Sequence, residues 1–577
     1  MNFFSLCFQS SDYEPSLPVT EKSNPLTRDI DRASPSGIVG MLEACDAQMF
    51  QRETGTNYQR LFDDQVVTTL TEVAKRVELI LKDPQDSLVV LSGCGTSGRL
   101  AFFIASRFNE ALKQLNRTLV YSYIIAGGDR ALLSSQEAPE DDPELGMLSL
   151  QKVCEGKKRV LFIGVSCGLS APFVAGQLDF CLQHPEVYTP VLLGFNPTHQ
   201  ARDEPIPGCT FTFRSVAQRL QELAQRRKAF LINPAVGPEA ISGSSRMKGG
   251  SATKIVLEVV LSAAHAAAFS HTPVANDGIL QHMREYERAV EMTYQHREGI
   301  AALVEAAGRS LQNEGGVCYL GWGPMAFLGL MDASECNPTF GAGERKKRWR
   351  GFIRGGYKDL NNNEGPLSSL GPDFCIAHED FLHQVLPSLT DRDTVLLIYT
   401  QSDDLHEVVN LGRKVREKTS NIHAVHHRTD SVEALQQVTF LSFGLNKLCI
   451  FDTFWQWELS TKLVLNAVST GAHILKGKIY RNHMIDLQVT NSKLYRRAAR
   501  LLQVHKTVAH MILEYTYINQ DTLTINRDNN WDKHGPCSVQ VVPLALVSLL
   551  TGCSLKQVES RLEQRQILRD ALEELIP

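Results

Sequence analysis

The chain has 577 residues, too many for one hydrophobic core, and points to three or four structural units at about 100–200 residues each. With 43% hydrophobic and 21% charged residues, its apolar content is that of a folded protein and excludes a disordered one. Subtracting 64 acidic from 59 basic residues leaves a net charge of -5, so no summed positive field exists to hold nucleic acid or an anionic membrane, and neither partner is expected.

The 13 cysteines include no C-x-x-C pair and no zinc-type Cys/His spacing, so the chain reads as reduced and intracellular, without a metal or cofactor. Met1 to Phe8 is apolar but lacks the basic flank and the length of a signal peptide. Residues 1–40 form an N-terminal segment. The first unit, 41–272, opens on a helix carrying Val66, Leu70, Val73, Val77 and Ile80 at three-to-four spacing. Short apolar runs then alternate with helical segments: Leu88 to Leu91, Ile124-Ile125, Val160 to Ile163, Val191 to Leu193 and Phe230 to Ile232. Uniformly apolar runs between helices are the signature of strands buried on both faces of a parallel sheet. The stretch Ile255 to Phe269, interrupted by Glu258 and His265, is expected to be too short and too polar for a membrane span.

Ser270 to Asp277 reads as a link to a second unit, 273–484, with its own helical lead-in and strands at Val317 to Gly321, Val395 to Tyr399 and Val438 to Phe443. Sequence as well as rhythm repeats. Ser251-Ala252-Thr253-Lys254-Ile255-Val256-Leu257 compares with Ser460-Thr461-Lys462-Leu463-Val464-Leu465, and Gly93-Cys94-Gly95 with Gly321-Trp322-Gly323. An internal duplication follows. Asn361 to Pro372 is a long polar loop, and residues 485–577 read as a helical cap, its last helix opened by Ser554 with Gln557.

The chemistry concentrates in two loops. Leu91 to Arg99 follows a strand and opens a helix, so that glycines admit a ligand to the backbone, helix amides point at it, and the Thr96 and Ser97 hydroxyls add donors. A G-x-G-x-x-G dinucleotide fingerprint is a weak match, because no acidic residue stands at the end of the next strand and no Walker lysine follows. Ser166 to Pro172, after the third strand, is a second hydroxyl-rich loop at the same sheet edge, and the two can converge on one phosphate. The second unit's equivalent, Gly321 to Ala326, has no hydroxyl, so one phosphate site is expected and not two. Acidic candidates are Glu137, Glu140 and Glu335, with Asp141 and Asp142 read as solvated surface; basic ones are Arg246, Lys248 and Lys462. The run Glu344 to Arg350 reads as a wet basic face, with nuclear import as the lesser reading.

Thr20 to Thr27, Gly93 to Arg99, Ala126 to Asp129, Gly237 to Glu239, Ser244 to Gly250 and Asp332 to Gly341 together resemble the sugar-isomerase (SIS) domain group. Within it, the duplicated length and helical tail resemble the vertebrate glucokinase regulatory proteins, from about residue 18 to nearly the end. The resemblance implies two tandem doubly wound parallel-sheet α/β SIS domains with a helical C-terminal cap. It also implies a non-catalytic inhibitor that holds glucokinase in the nucleus, shared between nucleus and cytoplasm, strengthened by fructose 6-phosphate and relieved by fructose 1-phosphate. Its phosphosugar contacts fall on Gly95, Thr96, Ser97, Glu140, Ser166, Cys167, Gly168, Ser170, Glu335 and Lys462. Cys94 and Cys167 depart from the family pattern. The same motifs resemble the N-acetylmuramic acid 6-phosphate etherases, lyases whose two glutamates would match Glu140 and Glu335; an aldose-ketose isomerase has only the general sheet and loop in its favour.

Overall fold

The computed structural model describes residues 17–51, 58–340, 348–428, 446–451, 454–485 and 491–501, with positions 548, 553 and 557. Apart from those three positions, the expected strand Val438 to Phe443, the helices beyond residue 501 and the basic run as far as Lys347 lie outside the described residues.

Helices α1 (Pro35–Ala47) and α2 (Asp64–Lys82) lead into the first sheet. The Ser34 side chain accepts from Gly37 N, and Pro35 occupies the first turn, so α1 starts where its sequence specifies. The unit continues through β1 (Ser87–Gly93), α3 (Gly95–Gln114), β2 (Tyr121–Ile125), α4 (Pro143–Val153), β3 (Arg159–Val165), α5 (Pro172–Gln183), β4 (Tyr188–Leu193), α6 (Phe213–Ala224), β5 (Phe230–Ile232) and α7 (Lys248–Phe269). The second runs through α8 (Asn276–Tyr294), α9 (Arg297–Gln312), β6 (Val317–Gly321), α10 (Gly323–Phe340), β7 (Trp349–Ile353), β8 (Thr394–Thr400), α11 (Leu405–Arg416), β9 (Ile422–Arg428), β10 (Asn446–Phe451) and α12 (Phe454–Leu475). The hairpin β11 (Ile479–Tyr480) and β12 (His483–Met484) precedes α13 (Ser492–Leu501).

Both sheets are wholly parallel, ordered β2-β1-β3-β4-β5 and β7-β6-β8-β9-β10. The two orders are the same when β6 is set on β1, which is the duplication seen as topology. Alternate strand residues face different cores. Val89 and Leu91, with Tyr319 and Ile398, point into one core shared by the two units, while Val90 and Phe162 face α4 to α6, and Leu320 and Leu397 face the far side of the second sheet. Between the units, Phe102 and Phe103 of α3 meet Phe327 of α10 at ring-centroid distances of 4.9 and 5.7 Å. Buried ion pairs cross there as well: Glu458 of α12 takes Arg107 at 2.8 Å and Lys254 at 2.9 Å.

Three expectations need correction. The end of the basic run is not a wet face, because Trp349 starts the edge strand β7 and is buried against Tyr319 and His473. Helix α7 begins at Lys248 and, by length and composition, is long and apolar enough to cross a membrane; 67% of its apolar window is nevertheless buried inside the fold. The polar loop after β7 is not confined to the second unit. Asp129 of the first unit accepts from Asn362 Nδ2 (2.8 Å) and Glu364 N (2.7 Å) and returns its own N–H to Glu364 Oε1 (2.9 Å).

Candidate functional site

The site forms at the carboxyl edge of the first sheet, where β1 and β3 pair in register and release their loops side by side. Gly95 has φ +49°, which starts α3 in a left-handed turn that a glycine adopts without strain. A Cβ on Gly98 would lie 2.5 Å from Ile125 Cγ1 and 2.6 Å from Gly93 O, so α3 approaches the sheet as closely as it does only with glycine there. Thr96, Ser97 and the first amides of α3 thus sit at a helix N-terminus against the sheet edge.

The second loop meets the first directly. Ser97 Oγ is 3.6 Å from Cys167 Sγ, which in turn is 3.7 Å from Thr253 Oγ1. Burial raises the pKa of the Cys167 thiol, so this position is neutral beside an anion site. Ser166 Oγ accepts from Ser170 N (3.1 Å) and Ala171 N (3.3 Å), holding its own turn in shape, while Arg202 Nη1 donates to Ser170 O (3.2 Å) from behind. Asn196 donates to Gly168 O (3.1 Å) and to Thr20 Oγ1 (2.9 Å), which anchors the residues near the N-terminus onto this loop.

The second unit and the cap supply the remaining groups. Lys462 of α12 reaches across to the first unit: a Cβ on Gly250 would be 3.1 Å from both Lys462 Nζ and Thr96 Cγ2. Its ammonium donates to Arg246 O (2.8 Å), Met247 O (3.2 Å), Ser251 Oγ (3.3 Å) and Asn466 Oδ1 (2.7 Å), and burial lowers its pKa to about 8 despite Glu335 nearby. Glu335 of α10 is buried, which raises its pKa, with Arg99 and Arg246 opposing that shift. Arg246 is held by Asp332 (2.9 Å), Ser469 (3.1 Å) and Thr470 (2.7 Å), an ion pair joining the first unit's Ser244 to Gly250 loop to the second unit.

Glu140, whose charge acts on Cys94 of the first loop, meets a cation which sequence reasoning missed. Lys493, at the start of α13, donates to both Glu140 oxygens at 2.8 and 3.0 Å. Burial alone would lower the Lys493 pKa; Glu140 and Glu137 outweigh it and raise the pKa. Asn491 Nδ2 donates to Glu137 (2.8 Å), and Ser492 gives its N–H (2.9 Å) and hydroxyl (2.7 Å) to Asp141. Asp141 is therefore no solvated surface charge, and Asp142 caps α4 through Leu145 N (2.8 Å). Glu239 also escaped notice as a site group: its carboxylate accepts from Lys248 N (2.9 Å) and Gly249 N (2.8 Å), occupying the N-terminus of α7, and burial pushes its pKa up to about 7. Nothing in the spacing of Lys493 or Glu239 announces these contacts: the first arises only when cap and unit come together, and the second when the loop before α7 folds back onto its N-terminus.

The second unit repeats the geometry without the chemistry. Gly323 has φ +54°, as Gly95 has φ +49°, but Trp322 stands where Cys94 does. Gly93 pairs with Val165 and Gly321 with Ile398, so Tyr399 takes the place of Ser166. Trp322, Tyr399 and His378 pack ring against ring, with Trp322 centred 4.7 Å from His378 and 6.3 Å from Tyr399. Aromatic rings thus fill the equivalent position.

Residues 72–182 match the glucokinase regulatory protein N-terminal SIS domain, residues 294–476 the second SIS domain of that protein, and residues 481–572 its C-terminal lid domain. The chain belongs to the glucokinase regulatory protein family. It is 48% identical to the glucokinase regulatory protein of Xenopus laevis over 98% of this chain and 94% of that one, and 43% identical to that of Homo sapiens over 96% and 92%. It is also 32% identical to the N-acetylmuramic acid 6-phosphate etherase of Bacillus cytotoxicus, over 41% of this chain and 79% of that enzyme. In this family's terms α13 belongs to the lid, and the Glu140–Lys493 pair is a contact between lid and first SIS domain.

Proposed function

We propose that the chain is a non-catalytic regulator that binds and inhibits glucokinase, and that a phosphosugar bound between the SIS domains sets how strongly it does so. Family membership supports the glucokinase partner. The observation that carries the ligand half is the meeting, within one site, of the two hydroxyl-bearing loops of the first SIS domain, Glu335 and Lys462 of the second, and Lys493 of the lid on Glu140. A ligand that touches all three bodies has different affinities for different arrangements of them, which is the thermodynamic requirement for modulation. The helix N-terminus and hydroxyls suit its phosphate, and the carboxylates suit its hydroxyls. Fructose 6-phosphate would strengthen inhibition, fructose 1-phosphate would relieve it, and the complex would be retained in the nucleus.

The test is a glucokinase rate assay at low glucose with this protein added, alone and with each fructose phosphate. Inhibition shifted in opposite directions by the two ligands is the expected result. Inhibition indifferent to both would remove the ligand half of the reading. No inhibition at any concentration would remove the regulator and favour the etherase-like lyase, for which Glu140 and Glu335 are the two carboxylates; against that reading, Glu140 is bound by Lys493 from the lid.

A further inference from the structure

Arg99 and Glu335 face each other across the two SIS domains, and neither is satisfied by the other. Arg99 is 2% exposed and Glu335 4% exposed. Their closest approach, Nη1 to Oε1, is 3.7 Å, beyond hydrogen-bond distance. Arg99 Nε and Nη2 and both oxygens of Glu335 are buried without a well-formed hydrogen bond, the Thr96 hydroxyl being the donor near the carboxylate. That leaves three N–H donors and about four lone-pair sites open on two charged groups, whereas buried polar groups in folded proteins nearly always have partners. Arg99 stands three residues after Thr96 on α3, hence on the same face, and helical side chains lean towards the N-terminal turn, which here is the phosphate loop.

We infer that Arg99 is a ligand-reading residue, which together with Glu335 recognises the hydroxyl-bearing carbons of a phosphosugar whose phosphate lies in the two loops. The inference rests on the reading above that the site takes a phosphosugar. The hydroxyls of a sugar serve both groups at once. A hydroxyl accepts from a guanidinium and donates to a carboxylate, whereas a bare phosphate or a ligand carboxylate offers Glu335 no donor and meets its negative charge. Vicinal hydroxyls bridging the 3.7 Å separation satisfy the donors of one group and the acceptors of the other. Arg99 thereby distinguishes a polyol phosphate from phosphate alone.

Isothermal titration of the full chain, wild type and Arg99→Gln, with inorganic phosphate, glycerol 3-phosphate, fructose 1-phosphate and fructose 6-phosphate tests this. The substitution should weaken the fructose phosphates by about 10-fold or more, the loss expected for hydrogen bonds to a charged group, and should leave inorganic phosphate within about 3-fold, since the loops are untouched. Glycerol 3-phosphate, itself a polyol phosphate with vicinal hydroxyls, should weaken together with the fructose phosphates. Arg99→Lys keeps the charge opposite Glu335 but loses the fork, and should fold with the same selective loss should the glutamine variant fail to fold. A folded variant that binds the fructose phosphates like wild type overturns the inference and leaves the proposed function standing. Wild type that binds inorganic phosphate but neither fructose phosphate overturns both.

Discussion

Arg246 with Asp332 is a buried ion pair that joins the two SIS domains, and its removal has a calculable consequence. The side chains are 4% and 2% exposed and 2.9 Å apart. Asp332 Oδ1 also accepts from Asn466 Nδ2 (2.9 Å) and Ser469 Oγ (3.0 Å), and Oδ2 from Tyr319 OH (3.0 Å). Asp332→Asn preserves shape and most of these hydrogen bonds while deleting the charge, leaving the Arg246 guanidinium buried without its counter-ion. Breaking a buried pair in this way costs about 3–5 kcal/mol. At roughly 2–4 °C per kcal/mol for a domain-sized cooperative unit, the melting temperature should fall by about 6–20 °C in a calorimetric scan. Replacing both partners with apolar residues, Asp332→Leu with Arg246→Met, should cost several kcal/mol less than the two single changes added together, because no uncompensated charge remains. A fall below about 3 °C for Asp332→Asn, or strict additivity in the double variant, would refute the assignment of the pair as the electrostatic tie between domains.

Ser97→Trp fills the contact with Cys167 Sγ, now 3.6 Å away, and should abolish the response to fructose phosphates in the glucokinase assay while some inhibition persists; an unchanged response would refute placement of the phosphate there. Glu239 has its folded pKa raised by burial from 4.5 to about 7, so it contributes stability that is complete below about pH 4.5 and is lost as pH rises through 7. That contribution is about 3 kcal/mol, and Glu239→Gln should flatten the stability profile between pH 5 and 7 relative to wild type; parallel profiles would contradict the burial argument. A Cβ on Gly176 would lie 2.2 Å from Pro143 O, so Gly176→Ala should force α4 and α5 apart and destabilise the first domain by about 1–3 kcal/mol. Unchanged thermal unfolding would show that the helices have slack.

Much of the fold is legible in the sequence because a strand covered on both faces must have an apolar centre, as β1 (Leu88 to Leu91), β3 (Val160 to Ile163) and β8 (Val395 to Tyr399) have. The strands missed are those where that rule bends. Strand β7 is at the edge of its sheet, where Arg350 is tolerated beside buried Trp349. Strand β9 carries His423, His426 and His427, which read as polar; yet burial depresses the pKa of His427 to about 3, so it stays neutral, bonded to Thr461 and stacked on Trp457. In the site, the loops are legible because glycine and hydroxyl spacing is a local signal. Lys493 is not: its role depends on Glu140, 353 residues earlier in the chain. The carboxylate of Glu335 is conspicuous in a mostly uncharged helix, whereas its opposite number Arg99 hides inside the phosphate-loop motif itself.

The anchoring of the N-terminal residues has a consequence for how the protein is made. Glu21 pairs with Arg497 of the lid at 3.1 Å across 476 residues, and Asn24 O accepts from Asn482 Nδ2 at 2.9 Å across 458. At roughly 5–20 residues per second, a ribosome needs about 24–95 s to travel from one partner of the first pair to the other. The first SIS domain emerges long before and can close its own sheet, yet Thr20 to Thr27 must wait for the end of the chain to satisfy their remaining bonds. Entropy alone is a small obstacle, since each doubling of a loop adds only about 0.6 kcal/mol. Time is the larger one: during synthesis the phosphate loops exist for tens of seconds without the lid that later meets them.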